Sequence, residues 1–287
     1  MDSSFHLVVD LPTYVRFNPL KADSPSRYFA SLRTKGFSFR RVSFLSSGFI
    51  CEGKRAIGAT TPYLQGIFHV QEAASQVPAE VLFSLLKNRR SLLLDMCAAP
   101  GGKTSQLAAL FQDSSILALD SSSDRMVALH HNLDRLGAAQ VVTKLLDARE
   151  TPSLKLSFDG ILLDAPCSGN YAIEKHYFAK RTIAGVKKNS LLQKELIQAA
   201  FSSLKSGGVL VYATCSLEPE ENEEVVDWFL KKTAGEMRLE RIPFREGSPG
   251  LTSFQGKSYD SSLALAKRFW PHRHKTQGFF VAAMRRL

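Results

Sequence analysis

This sequence has no long hydrophobic run, no cysteine pair and no internal repeat. No stretch approaches the ~18 consecutive apolar residues of a membrane span, and the first twenty residues lack the basic start and apolar core of a signal peptide. A cytoplasmic protein with no membrane partner is expected. Only four cysteines occur, at 51, 97, 167 and 215, and none forms the C-x-x-C pair of zinc ribbons and redox motifs. A disulfide framework is not expected in a cytosolic chain of 287 residues, and no metal site is expected either. The G-x-G-x-x-G fingerprint of dinucleotide-binding proteins is also missing.

Positive charge is present, but it is unevenly placed. The formal net charge of +10 divides into +5 over residues 1–62, −3 over 63–230 and +8 over 231–287. A near-neutral body between basic flanks suits a catalytic domain that binds a polyanion, because clustered Lys and Arg gain affinity by releasing counterions from phosphates.

From residue 91 the chain alternates strand and helix patterns. "SLLLDM", "SILALD", "QVVTKLLDA", "DGILLDAP" and "VLVYATC" read as strands. Between them lie helical stretches, among them "SSDRMVALHHNLDRLG", whose Met126, Leu129, Leu133 and Leu136 share a face before Gly137 stops it. The alternation predicts an α/β fold, a doubly wound and mainly parallel sheet, with ligands at the carboxyl ends of the strands. "MRLERI" and "GFFVAAMRR" are expected to add a terminal antiparallel pair, and "NSLLQKELIQAAFSSLKSGG" a helix with a glycine stop. Residues 1–62 read as a small basic α+β appendage for RNA recognition, ahead of a catalytic domain over 63–287. In it Arg16, Arg27, Arg33, Lys35, Arg40 and Arg41 are interleaved with aromatics that suit base stacking, although most of those rings are expected in its core.

"CAAPGGKT", residues 97–104, nearly matches the phosphate-binding G-x-x-x-x-G-K-[ST] loop, but Cys97 stands where that loop needs glycine. The alternative is a nucleoside cofactor lying across the strand ends, with Gly101 and Gly102 allowing close backbone approach. That reading expects an acid ~20 positions on for the ribose hydroxyls. Asp120 fits, and Asp147 at the end of the third strand is placed for the adenine amine. S-adenosylmethionine is favoured over a dinucleotide by the missing fingerprint and the nearby thiols.

Two strands end in a Cys-Ser pair, "ILLDAPCSG" at Cys167 and "VYATCSLEPEENEEV" at Cys215. Neighbouring strands would bring both thiols and Asp164 to one cleft beside the cofactor. Carbon 5 of a pyrimidine is a poor nucleophile, and a thiolate adding to carbon 6 activates it. A carboxyl on the polar edge of the ring offsets the developing charge, and a base then removes the carbon 5 proton. The chemistry alone leaves open which cysteine attacks. The acid-rich run after Cys215 suits a helix N-terminus, but it also brings negative charge near a thiol that must ionise.

"DMCAAPGGKT", "DAPCSG", "ATCS", "LDSSSDRMVALHHNLDRLG", "GIFHVQEAAS" and "RFWPHRHKTQGFFVA" together closely resemble the NOL/NOP/Sun family of RNA cytosine-5 methyltransferases, over roughly residues 60–285. The resemblance implies a Rossmann-like methyltransferase sheet. S-adenosylmethionine would be bound by Cys97, Ala98, Ala99, Pro100, Gly101, Gly102 and Lys103 with Asp120, Arg125, Asp147 and Asp164. It implies Cys215 as nucleophile, Cys167 in resolving the covalent adduct, Asp164 on the target cytosine, and Lys103 towards the base. DNA cytosine methyltransferases attack with the thiol of a Pro-Cys motif, which here would be Cys167, so the choice of Cys215 rests on the resemblance. Glu72 and Gln277 depart from the family pattern, where Asp is common. The compact form resembles archaeal tRNA enzymes, so tRNA is the first expected substrate and ribosomal RNA the second. A P-loop NTPase and a non-catalytic RNA-binding protein are the alternatives. His272 and His274 are expected on a basic surface near RNA, and Trp228 in packing.

Overall fold

A computed structural model describes residues 10–287, except 89, 170, 171, 173, 175 and 176. The first nine residues of the expected 1–62 unit lie outside the described residues. The chain opens with β1 (Thr13–Phe17), α1 (Ser26–Arg33), β2 (Phe37–Arg41), β3 (Gly48–Gly53), α2 (Thr61–Leu64) and β4 (Phe68–Val70). The four strands form an antiparallel sheet of order β2-β3-β1-β4. This sheet takes its last strand from residues beyond 62, because Phe68 is fully buried among Phe17, Phe29 and Phe49. The Phe29 ring lies 5.5 Å from Phe68 and 4.9 Å from Phe49. Most aromatics of the appendage are thus core, while Arg27, Arg33, Lys35, Arg40 and Arg41 are exposed. Arg16 differs from those cations: it is buried and points inward.

The rest of the chain runs α3 (Ala73–Leu85), β5 (Leu92–Asp95), α4 (Gly102–Leu110), β6 (Ser115–Asp120), α5 (Ser123–Leu136), β7 (Val141–Leu145), β8 (Phe158–Asp164), α6 (Tyr177–Lys180), α7 (Ile183–Ser202) and β9 (Leu204–Thr214). It closes with α8 (Glu223–Lys232), β10 (Met237–Glu240), β11 (Ser248–Pro249), β12 (Ser253–Phe254), β13 (Lys257–Ser258), β14 (Lys267–Phe269), α9 (Pro271–His274) and β15 (Phe279–Arg286). The large sheet has the order β11-β14-β15-β9-β8-β5-β6-β7, with β10 also on β15. Strands β5 to β9 are parallel, and β15 enters antiparallel to β9. The expected terminal pair forms, since β10 and β15 are antiparallel from Met237↔Arg286 onwards.

Apolar strands buried on both faces explain this sheet, as in other parallel sheets covered by helices on both sides. Leu93, Leu94, Ile161, Leu162 and Leu163 are all inaccessible to solvent. Helix α5 starts where the Ser122 side chain accepts from Arg125 N and stops at Gly137, which has φ 72°. One boundary differs from expectation. The stretch "LKSGG" belongs to β9 and not to the preceding helix, because buried Leu204 pairs with Phe158 and carries the strand through an irregular register.

The two parts share a polar seam. Asn18 Nδ2 donates to Gly66 O (2.9 Å) and to Leu136 O (2.8 Å) at the end of α5. Arg16 donates to Gln71 Oε1 (2.9 Å), Ser105 Oγ (2.8 Å) and Gly102 O (3.3 Å), fastening the small sheet to α4. Burial lowers the Arg16 pKa to about 9.

Another polar contact anchors the chain beyond β9. Arg268 on β14 donates through Nε to Glu223 Oε1 (2.6 Å) and through Nη2 to Glu223 Oε2, and both side chains are wholly buried. Arg268 Nη1 donates to Leu217 O (2.9 Å), so the pair also holds the loop that follows Cys215. Removing one member of such a pair strands the other charge. Arg268→Met should therefore cost about 3–5 kcal/mol in urea-unfolding stability, and replacing Glu223 by Leu in the same chain should recover part of that loss.

Candidate functional site

Strand order reverses around β5, whose neighbours are β6 and β8, and a doubly wound sheet binds ligands at that point. The chain leaves β5 through Met96 to Gly101 and enters α4. Gly101 has φ 100°, a left-handed conformation suited to glycine, and it begins α4 with the helix N-terminus facing the strand ends.

A cavity of about 540 Å³ opens there. Among its walls are Cys97, Asp120, Arg125, Asp147, Asp164, Cys167 and Cys215, so seven residues expected from the sequence meet in one place. Ala98, Ala99, Pro100, Gly102 and Lys103 face an adjoining cavity of about 230 Å³, with Cys97 and Asp164 common to both. Gly101 contributes its backbone bend.

Asp120 is nearly buried and ties the loop to the second strand. Its Oδ2 accepts from Ala99 N (3.1 Å), and Arg125 lies 3.2 Å from the same oxygen. Arg125 also donates to Ala99 O. Asp147 carries a partner that sequence reasoning missed: Arg149 donates to both its oxygens (3.1 and 2.7 Å) and reaches Glu195 on α7 (2.9 Å). The Arg149 hydrogen bonds lower the Asp147 pKa and keep its carboxylate ionised. The pair stands only two residues apart in "DAR", and that spacing was the available signal.

Lys103 Nζ lies 2.7 Å from Asp164 Oδ2 and 3.0 Å from Ser75 Oγ. Burial works against this ammonium, but Asp164, with smaller help from Cys215 and Asp95, outweighs it and raises the pKa. Asp95 beneath them is fully buried, accepts from Thr104 Oγ1 (2.7 Å), and is pushed up to about 7 by desolvation.

The two thiols converge as the strand order predicts. Cys167 Sγ and Cys215 Sγ are 3.1 Å apart, and the hydroxyls of Ser168 and Ser216 are 3.3 Å apart beside them. Cys167 is pushed well above the ordinary thiol value, first by its hydrogen bond with Cys215, then by burial, the charge on Cys215, and Glu221. The acid-rich run is arranged differently from the expectation. Glu221, Asn222 and Glu223 are fully buried, with Glu223 neutralised by Arg268, so they do not present an open acidic face to Cys215. His274 lies outside this cluster, where its Nδ1 is 2.8 Å from Trp270 N.

A parallel sheet of this order, its switch-point cavity lined by strand-end acids, defines a Rossmann-like methyltransferase fold. A Pyrococcus horikoshii methyltransferase homolog of known structure superposes with a TM-score of 0.86 at 38% identity, covering 97% of this chain and 87% of that one. The 16S rRNA methyltransferase RsmB/F family profile matches residues 83–285, and the chain belongs to that family. The mouse 28S rRNA (cytosine-C(5))-methyltransferase is 40% identical over 237 residues, 80% of this chain and 29% of that protein. The Pyrococcus abyssi tRNA (cytosine(49)-C(5))-methyltransferase is 38% identical over 232 residues, 80% of this chain and 73% of that protein. The chain therefore spans less than a third of the mouse relative's length.

Glu72, one of the two residues that depart from the family pattern, caps α3 by accepting from Ala74 N (2.7 Å) and Ser75 N (3.2 Å), and its Oε1 accepts from the N–H of the other, Gln277 (3.0 Å). Burial nevertheless pushes its pKa from 4.5 up to about 7. The native state then binds this proton more tightly than the unfolded chain, so the contribution is present below about pH 4.5 and is lost as pH rises through about 7. Urea midpoints at about pH 5 and about pH 8 should fall with pH in the wild type, and the fall should be smaller in Glu72→Gln.

Proposed function

We propose that this chain is an RNA cytosine-5 methyltransferase that acts on tRNA, with ribosomal RNA second, through a covalent adduct on Cys215. The observation that carries the reading is the pair of thiols 3.1 Å apart, on the wall of the large cavity and close to the Lys103–Asp164 ion pair. S-adenosylmethionine is the cofactor. The cavity suits it in size. It also suits it in chemistry: Asp120 and Asp147 offer carboxylates to ribose hydroxyls and the adenine amine, Arg125 braces Asp120, and the α4 N-terminus with residues 97–103 faces the carboxylate end. Bound there, S-adenosylmethionine supplies an electrophilic methyl group to carbon 5 of the base.

Surroundings support the assignment of the two sulfurs. The Lys103 cation interacts with Cys215, while the hydrogen bond with Cys215 and burial hold Cys167 as a neutral thiol. Cys215 as thiolate adds to carbon 6, forming a carbon–sulfur bond and moving an electron pair to carbon 5. Asp164 and Lys103 hydrogen-bond the polar edge of the ring and offset the charge that develops there. Once carbon 5 is methylated, Cys215 is an uncharged thioether. Cys167 then ionises more readily, gives its proton to solvent, and takes the proton from carbon 5. The carbon 5–carbon 6 double bond re-forms, the carbon–sulfur bond breaks, and its electrons return to Cys215. One proton has gone to solvent, and a thiolate and a thiol remain as at the start.

For the substrate, support comes from the exposed Arg27 and Arg33 on α1, Lys35 in the turn after it, and Arg40 and Arg41 on β2, which we assign to RNA backbone. The choice of tRNA is supported by the larger share of the tRNA relative that this chain covers. The NTPase alternative is disfavoured by Thr104, whose hydroxyl is buried on Asp95 instead of facing a magnesium site.

The test is transfer of a labelled methyl group from S-adenosylmethionine to unmodified tRNA and ribosomal RNA by wild type, Cys215→Ala and Cys167→Ala, with a denaturing gel for protein joined to RNA. Wild type should make 5-methylcytosine in tRNA. Cys215→Ala should make neither product nor adduct, and its rate should fall by ~10⁴-fold or more, the scale seen when a nucleophile is removed. Cys167→Ala should accumulate adduct. Methylation of no RNA despite cofactor binding would remove the reading, and adduct that depends on Cys167 would reverse the two roles.

A further inference from the structure

The two Cys-Ser strand ends share one more partner, Glu221, which the mechanism above does not use. Its side chain is fully buried. Oε1 accepts from Ser168 N (2.9 Å), and Oε2 accepts from Ser168 Oγ (2.7 Å). Ser168 Oγ in turn lies 3.3 Å from Ser216 Oγ. Ser216 is itself fixed: its N–H donates to Thr214 Oγ1 (3.2 Å), and its hydroxyl accepts from Glu218 N (3.1 Å). The backbone of Glu221 is tied to the sheet, because Tyr212 on β9 donates its hydroxyl to Glu221 O (2.5 Å).

We propose that Glu221 is a positioning residue that binds the two Cys-Ser ends into one unit and so sets where the Cys167 sulfur stands when the covalent adduct is resolved. The inference rests on the reading given under Proposed function. Ser168 N belongs to the peptide unit that begins at the Cys167 carbonyl, so holding that N–H holds the backbone of Cys167. A carboxylate accepting N–H and O–H bonds holds them more strongly than a neutral acceptor would. Cys215 stands on the end of β9, and its position does not require Glu221 in the same way. Attack by Cys215 and release assisted by Cys167 should therefore separate when Glu221 is changed. This arrangement also gives the paired serines a role, since each hydroxyl completes the bridge between the two strand ends.

The experiment compares wild type, Glu221→Gln, Ser168→Ala, Cys167→Ala and Cys215→Ala on unmodified tRNA. Three quantities are read: the single-turnover rate of attachment to RNA, the steady-state rate of methylation, and cofactor affinity, with the thermal midpoint as a folding control. Glu221→Gln keeps the side-chain shape but loses one acceptor. Its attachment rate and cofactor affinity should stay near wild type, while turnover falls towards ~100-fold, the scale of an ångström-sized misplacement at a reacting group, and adduct accumulates as in Cys167→Ala. Ser168→Ala removes one of the two bonds and should show the same split, more weakly.

Turnover by Glu221→Gln equal to wild type would overturn the inference. So would equal loss of attachment and release, which would make Glu221 a support of the fold alone. Should Glu221→Gln fail to fold, Ser168→Ala decides, and no accumulation of adduct in that variant overturns the inference. A wild type that methylates no RNA, or a Cys215→Ala that still attaches, defeats the proposed function itself, and the inference with it. That outcome is distinct, because it does not depend on any change at Glu221.

Discussion

The ion pair between Lys103 and Asp164, 2.7 Å long, joins the start of α4 to the end of β8. One partner comes from the helix that follows β5, the other from the strand beside β5, so the contact closes the switch point of the sheet. It also divides the space there, since Asp164 and Cys97 belong to the walls of both cavities. Burial lowers the pKa of an ammonium so deeply placed, the carboxylates around it more than reverse that, and the same charge lies close to the Cys215 sulfur. Packing and cavity shape at this edge depend on that arrangement, and on the proposed function the thiol chemistry does too.

Around it the structure spends its polar groups on holding strand ends. Parallel strands cannot be joined by tight hairpins, so their carboxyl ends open into loops whose backbone must be satisfied from elsewhere. Asp120 takes the Ala99 N–H, Gln193 donates to Pro166 O at 2.8 Å, Glu221 takes Ser168, and Arg268 reaches Leu217. Each of these contacts crosses between elements. The result is that the side chains to which the proposed function gives a part stand on loops that are individually irregular and jointly fixed, as preorganised electrostatic stabilisation requires.

The small sheet is joined to this edge by buried hydrogen bonds. Arg16 lies against Gly102 and Ser105, and His69, whose pKa is lowered to about 3 by burial and by Arg16 and Arg135, sits beside Gly102 as a neutral ring. A rigid seam of this kind fixes the exposed cations of the appendage relative to the cofactor loop. On the proposed function, that fixed distance is how an RNA held on one part presents a base to the other.

Much of this was legible in the amino-acid sequence. Alternating apolar strands and amphipathic helices specify a doubly wound sheet because a period of two or 3.6 leaves few ways to bury the apolar face. Strand-end residues such as Cys97, Asp120, Asp147, Asp164, Cys167 and Cys215 could be picked out because the sheet sends them all to one edge. The local pattern could not show which side chains meet across that edge. Arg149 on Asp147, Lys103 on Asp164, Arg268 on Glu223 and Glu221 on Ser168 depend on strand order and on loops that no periodicity describes. Arg16 reads in the sequence as one more surface cation, and only the tertiary structure turns it inward. The sequence by itself determined which groups could reach the edge of the sheet, through hydrophobic periodicity. Tertiary structure alone decided which of them are neighbours and which are desolvated, and therefore their charge states, because burial and pairing are properties of the assembled fold.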